Sequence, residues 1–209
     1  MADRRDPDAD LAAYLANAAY LESASVAAFA VLRDELRHHG APRVVVRSAG
    51  RAARDEVRDA RVMGALARRH GAMCRAPQVI RRPTRALVEI AVENAVEGCV
   101  RETYGAVIAA YQSRTAADGG VRAAMKGIAR DEARYASLAW TIGAWIEGRL
   151  TPAEQSHVAE ARREAVEELA SSVGRARHPS RRLKRMAGIP GPVEASEMVK
   201  RMRQALWQC

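Results

Sequence analysis

The chain has 209 residues, a formal charge of +9, 48% hydrophobic residues and a single Phe. That length supports one well-buried domain rather than two, and its Ala, Leu, Glu and Arg favour helix over strand, since they lose little side-chain freedom in a helix. The charge does not by itself specify a nucleic-acid partner: residues 1–40 carry four Lys/Arg against seven Asp/Glu, whereas residues 171–209 carry nine against two, so the excess is mostly a tail property.

In chain order, Asp8 or Asp10 is expected to cap a first helix running to about His38, ended by Gly40 and Pro42. A second helix spans about 43–70 and stops at Gly71. The segment AMCRAPQVIRRP has two prolines and no periodicity, so it reads as a connector. A third helix is expected over about 84–114 and a fourth over about 118–148. Thr151-Pro152-Ala153-Glu154 then supplies an N-cap, a proline in the first turn and an acid behind it, starting a fifth helix to about Ser172. Val158, Ala161, Ala165 and Leu169 form its apolar stripe. A basic stretch interrupted by Pro and Gly follows, then a short helix over about 193–207.

The first and second helices, and the third and fourth, are joined by a few residues, which makes each pair an antiparallel hairpin. A twelve-residue connector reaches ~40 Å, enough to run the height of the bundle. No uninterrupted apolar run of ~18 residues is seen, so no membrane span is expected. The N-terminus lacks the layout of a secretion signal. Cys74, Cys99 and Cys209 form no CxxC pair. The expectation is a cytoplasmic protein with free thiols.

An internal repeat carries the functional reading. Residues 53–60, ARDEVRDA, and 129–136, ARDEARYA, match as A-R-D-E-x-R-x-A. Glu56 and Glu132 lie 76 residues apart; in the preceding helices Glu22 and Glu97 lie 75 apart. Each interrupts a stripe facing the core, most clearly Glu132 among Met125, Ile128, Tyr135, Ala139 and Ile142, and least clearly Glu97. A buried carboxylate is costly unless paired or ligating, and divalent cations would relieve four converging ones.

Two helices bearing the D-E of a D-E-x-x-H pattern, each preceded by a helix that donates one Glu, resemble the ferritin-like di-iron carboxylate proteins. The phrases YLESASVAAF, ARDEVRDARVMGALA, EGCVRET and RDEARYASLAW look like those of bacterial ferritin-like domain proteins. The resemblance implies an all-α fold: a ferritin-like antiparallel four-helix bundle over 8–148 with a long crossover between its second and third helices. Residues 149–209 add a fifth helix, a basic segment and a short C-terminal helix. By the same resemblance Glu22, Glu56, Glu97 and Glu132 are ligands of two iron or manganese ions, and Asp55 and Asp131 orient ligands.

Where that family has histidine, this chain has Asp59 and Tyr135. Two readings follow. Either an all-oxygen shell persists, with Asp59 and the Tyr135 phenolate joining the glutamates and favouring hard ions; or the centre is metal-free, with Arg58, Arg101 or Arg134 neutralising the acids. Glu102, five residues past Glu97 and about 140° around an α-helix, marks either a close helix contact or a further acid in the site. The leading functional expectation is an O₂-activating oxidoreductase acting on a small molecule, with Glu56, Glu132 and Tyr135 as its reactive groups and a reductase as possible partner. A non-redox binding or acid–base protein and an RNA-directed enzyme using the basic tail are the alternatives, and a homodimer is compatible with all three.

Overall fold

The computed structural model describes residues 7–79 and 83–207, and no strand occurs among them. Helix α1 covers Pro7–His38, α2 Arg43–Arg69, α3 Leu87–Glu93, a π-helix Asn94–Glu102, α4 Thr103–Thr115 and α5 Gly119–Glu147; α6 covers Pro152–Gly174, α7 Arg181–Ala187 and α8 Pro192–Ala205. Asp8 and Asp10 lie inside α1 rather than at its cap. The Asp118 carboxylate accepts from the Val121 amide at 2.9 Å and starts α5. At α6, Thr151 and Glu154 cap each other reciprocally, as their spacing predicts.

Helix α1 packs along α2, and α4 with the π-helix along α5, giving two antiparallel hairpins. Arg85, just before α3, pairs with Glu35 near the end of α1 at 2.7 Å. The third long helix therefore begins at the end of the molecule where α2 also begins, so the connection after α2 crosses the whole bundle. Helices α2 and α5 are antiparallel, since Arg58 pairs with Asp131 and Arg134 with Asp55.

Two apolar clusters occupy the ends of this arrangement. Leu11, Leu15, Met63, Leu66, Val121, Met125 and Ile128 fill one; Leu36, Val45, Ile90, Leu138, Ile142 and Ile146 fill the other. A third cluster, containing Val100, Val166, Val199 and Trp207, fastens α6 and α8 to the outside of the π-helix. Ala165 of the expected α6 stripe is buried there, and Leu169 packs against it.

Two expectations are corrected, and a third observation bears on α1. The third helix is not a uninterrupted α-helix, because nine residues in its middle take π geometry. The basic stretch after α6 contains α7, whose Leu183, Met186 and Ala187 pack into the first apolar cluster; its charge rides on a segment fastened to the bundle. Finally, α1 is long and apolar enough over Ala9–His38 to cross a membrane by composition, with mean hydropathy 1.4. In this fold the same helix supplies Leu11, Leu15, Ala19 and Leu36 to the core and one acid to the central site.

Candidate metal centre

The layer between the two end clusters is acidic. Carboxylate oxygens of Glu22 on α1, Glu56 on α2 and Glu132 on α5 lie within 4.8 Å of one another. Glu56 is 1% exposed, and its Oε2 is buried without a hydrogen-bond partner. Glu102, the last residue of the π-helix, completes the group beside Glu132, as Glu22 lies beside Glu56. The four acids thus form two pairs, one within each hairpin.

Electrostatics follow from that packing. Burial, then the hydrogen bond and charge of Glu22, push Glu56 up to about 11. Burial, then the charge and hydrogen bond of Glu102, push Glu132 up to about 10. Glu22 and Glu102 are raised as well, burial again the first cause. The charged neighbours acting on all four are carboxylates. In the metal-free protein, Glu56 and Glu132 are therefore neutral acids at pH 7.

Glu97 does not join them. Its side chain is 52% exposed, and Arg101 holds its carboxylate at 2.7 Å. Both acids belong to the π-helix, and the one that reaches the centre is its last residue, Glu102. Gly98 permits this close packing, since a Cβ there would lie 2.5 Å from the Ala139 Cβ.

Asp59 and Tyr135, at the positions where the resembled family has histidine, behave differently from each other. Asp59 is buried, but its carboxylate is engaged by the Arg58 guanidinium at 3.2 and 3.4 Å. Burial raises its pKa, and Arg58 works against that. The Tyr135 ring stacks at a tilt on Phe29 with centroids 4.9 Å apart, and its hydroxyl is buried with no partner. Burial, then the charges of Glu56 and Asp59, hold the phenol well above its ordinary pKa.

Beside the glutamates lies a second charged group. Arg58 pairs with Asp55, Asp59 and Asp131, and Arg134 with Asp55 and Asp131. This ring reproduces the sequence repeat in space, each half giving one Asp and one Arg to the other. Asp55 and Asp131 therefore bind arginines, and Arg101 binds Glu97 and Glu168. Among the described residues, none of these arginines is paired with a glutamate of the central four.

His39, His70 and His157 are engaged or placed elsewhere. His70 lies 3.6 Å from Asp118, His39 contacts the Arg85 carbonyl, and His157 is exposed on α6. Cys74 and Cys99 are free thiols, Cys99 buried beside Asn94 with its pKa pushed up to about 11 by burial; Cys209 lies outside the described residues. Compared with family models, curated proteins and solved structures, the chain finds no match.

Proposed function

We propose that this chain is a ferritin-like di-metal carboxylate protein that holds two hard cations, iron or manganese, on Glu22, Glu56, Glu102 and Glu132, and uses them in an oxygen-dependent oxidation. One observation carries the reading: acids from α1, α2, the π-helix and α5 converge in a layer closed at both ends by apolar clusters, and the charges around them are other acids. Burying carboxylates in this way is costly unless a cation meets them, and the orphaned Oε2 of Glu56 fits a ligand atom awaiting an ion.

The pairing supports two equivalent half-sites, Glu22 with Glu56 and Glu102 with Glu132. An all-carboxylate donor set suits manganese, iron or magnesium better than copper or zinc. A bound redox-active pair would supply electrons to dioxygen, and an external reductase would replenish them. The protein's own part is positional. The Arg58–Asp131–Arg134–Asp55 ring fixes α2 against α5, and hence Glu56 against Glu132. Arg58 occupies Asp59, leaving the glutamates as the free oxygen donors. Tyr135 keeps its proton, which makes it a hydrogen-bond donor beside the acids rather than a phenolate ligand.

The test is metal analysis of protein purified from iron- and manganese-supplemented cells. The wild type is expected to carry close to two equivalents, and Glu56→Ala/Glu132→Ala less than about 0.1. A wild type as empty as the double variant would overturn the reading.

A further inference from the structure

We propose that the cleft between α1 and the π-helix is a binding site for a small, uncharged, largely apolar molecule, a single ring or a short alkyl chain, that turns one oxygen toward the Tyr135 hydroxyl. Calling that molecule a substrate rests on the metal-centre reading; its binding does not.

The cleft arises from unequal packing. The π-helix is drawn onto α5 where Gly98 meets Ala139, while α1 packs along α2. Between them lies a cavity of about 90 Å³ that opens to solvent and is walled by Phe29, Leu32, Ile90, Leu138 and Ile142. Three of its polar lining residues are already engaged. The Asn94 amide donates to the Ala139 carbonyl at 2.9 Å. At the rim, Glu93 is held by Arg85 and Glu97 by Arg101. No rim charge is left over to select an ionic ligand, so the recognition offered there is apolar.

Two further lining residues differ from these, Glu102 and Tyr135. Tyr135 is 4% exposed, and its hydroxyl has no hydrogen-bond partner. A buried hydroxyl left unsatisfied is unusual and costly. A ligand oxygen placed there would accept its hydrogen bond while the apolar remainder filled the walls. Size narrows the class: an apolar cavity of roughly 150 Å³ encloses benzene, so a somewhat smaller one with an open mouth takes one ring or a short chain that protrudes. The same position sets the ligand's oxygen-bearing end beside the glutamate cluster.

Phenol and toluene, titrated into the full chain and followed by protein NMR shifts, separate these elements. Wild type is expected to bind phenol about tenfold more tightly than toluene, the discrimination of one satisfied hydrogen bond. Tyr135→Phe should reduce that ratio to about one with toluene affinity unchanged, which also verifies that the variant's cleft is intact. Ser25→Phe, which fills the cleft from α1, should abolish binding of both probes. Absence of binding by wild type, a phenol preference that survives in Tyr135→Phe, or tighter binding of benzoate than of phenol would each overturn the proposal. Titrations of metal-free and manganese-loaded protein keep the two claims apart. Probe binding without metal uptake would sink the metal centre alone, and metal uptake without probe binding would sink the cleft alone.

Discussion

Two groups of acids lie side by side in the middle of this protein, and the sequence places them on consecutive residues: Asp55 and Glu56 on α2, Asp131 and Glu132 on α5. The aspartates are answered from within the chain. Arg58 and Arg134 cross between α2 and α5 to reach them, their guanidinium groups half in solvent where desolvation costs little. The glutamates, one position further round each helix, face the centre and meet only one another. The protein therefore has arginine available at this level and keeps it off the glutamates. A fold that neutralises one acidic group so thoroughly and leaves its neighbour unneutralised requires that the second group be met by protons or by ions from outside. That difference is the strongest physical argument for a metal site here.

The comparison can be broken most directly by changing which acids reach the centre. Glu102→Gln is expected to weaken manganese binding by about 100-fold, whereas Glu97→Gln should leave it within about twofold, because Glu97 belongs to Arg101 at the surface. Calorimetric titration of both variants checks this. Equal effects would place Glu97 in the site.

The ring itself should report through stability. Arg58→Ala leaves Asp59 without its guanidinium partner and Asp131 with Arg134 alone, and is expected to cost about 2 kcal/mol at pH 7. Arg134→Ala should cost about half as much, since Asp55 and Asp131 both keep Arg58. Urea denaturation of the two variants would show whether the ring is a structural clamp. A similar effect, about 1 kcal/mol, is expected for Gly98→Ala, which would push the π-helix off Ala139. Ala139→Gly should restore it.

Much of this was legible in the sequence, and the parts that were not have specific causes. The caps of α5 and α6 follow from Asp118 and from Thr151 with Glu154, local signals that tertiary packing left alone. The repeat exposed both acidic groups, because A-R-D-E-x-R-x-A carries the ring and two of the glutamates together. Glu97 was expected as the fourth central acid because its spacing from Glu22 matches that of Glu56 and Glu132, but Glu102, which the sequence left open, takes that place, and the nine residues of π geometry around them carry no such signal. Only Gly98, flanked by two acids five apart, hinted at a departure. Helix α7 was hidden by its basic residues, although Ser180 caps it and Leu183, Met186 and Ala187 give it a buried face.

The acids also set a pH dependence opposite in sign to that of most salt-bridged carboxylates. Glu56 and Glu132 hold their protons to about 11 and about 10 in the folded, metal-free chain, and release them at about 4.3 when unfolded. The native state therefore binds more protons between these limits, and stability declines as pH rises through that window. The melting temperature of metal-free protein should fall as pH rises from 5.5 to 8.5, and Glu56→Gln should flatten the slope. Thermal scans across that range give the comparison.

The most direct measurement of the central claim is titration of metal-free protein with Mn²⁺ in two buffers of different ionisation enthalpy, which yields both stoichiometry and protons released. Two ions are expected to bind at pH 7 with release of about two protons, those of Glu56 and Glu132, as cations replace them. Saturable binding with no proton release would locate the ions elsewhere. The absence of binding up to millimolar Mn²⁺ or Fe²⁺ would contradict the account, leaving protons as the only counter-charge the central glutamates have.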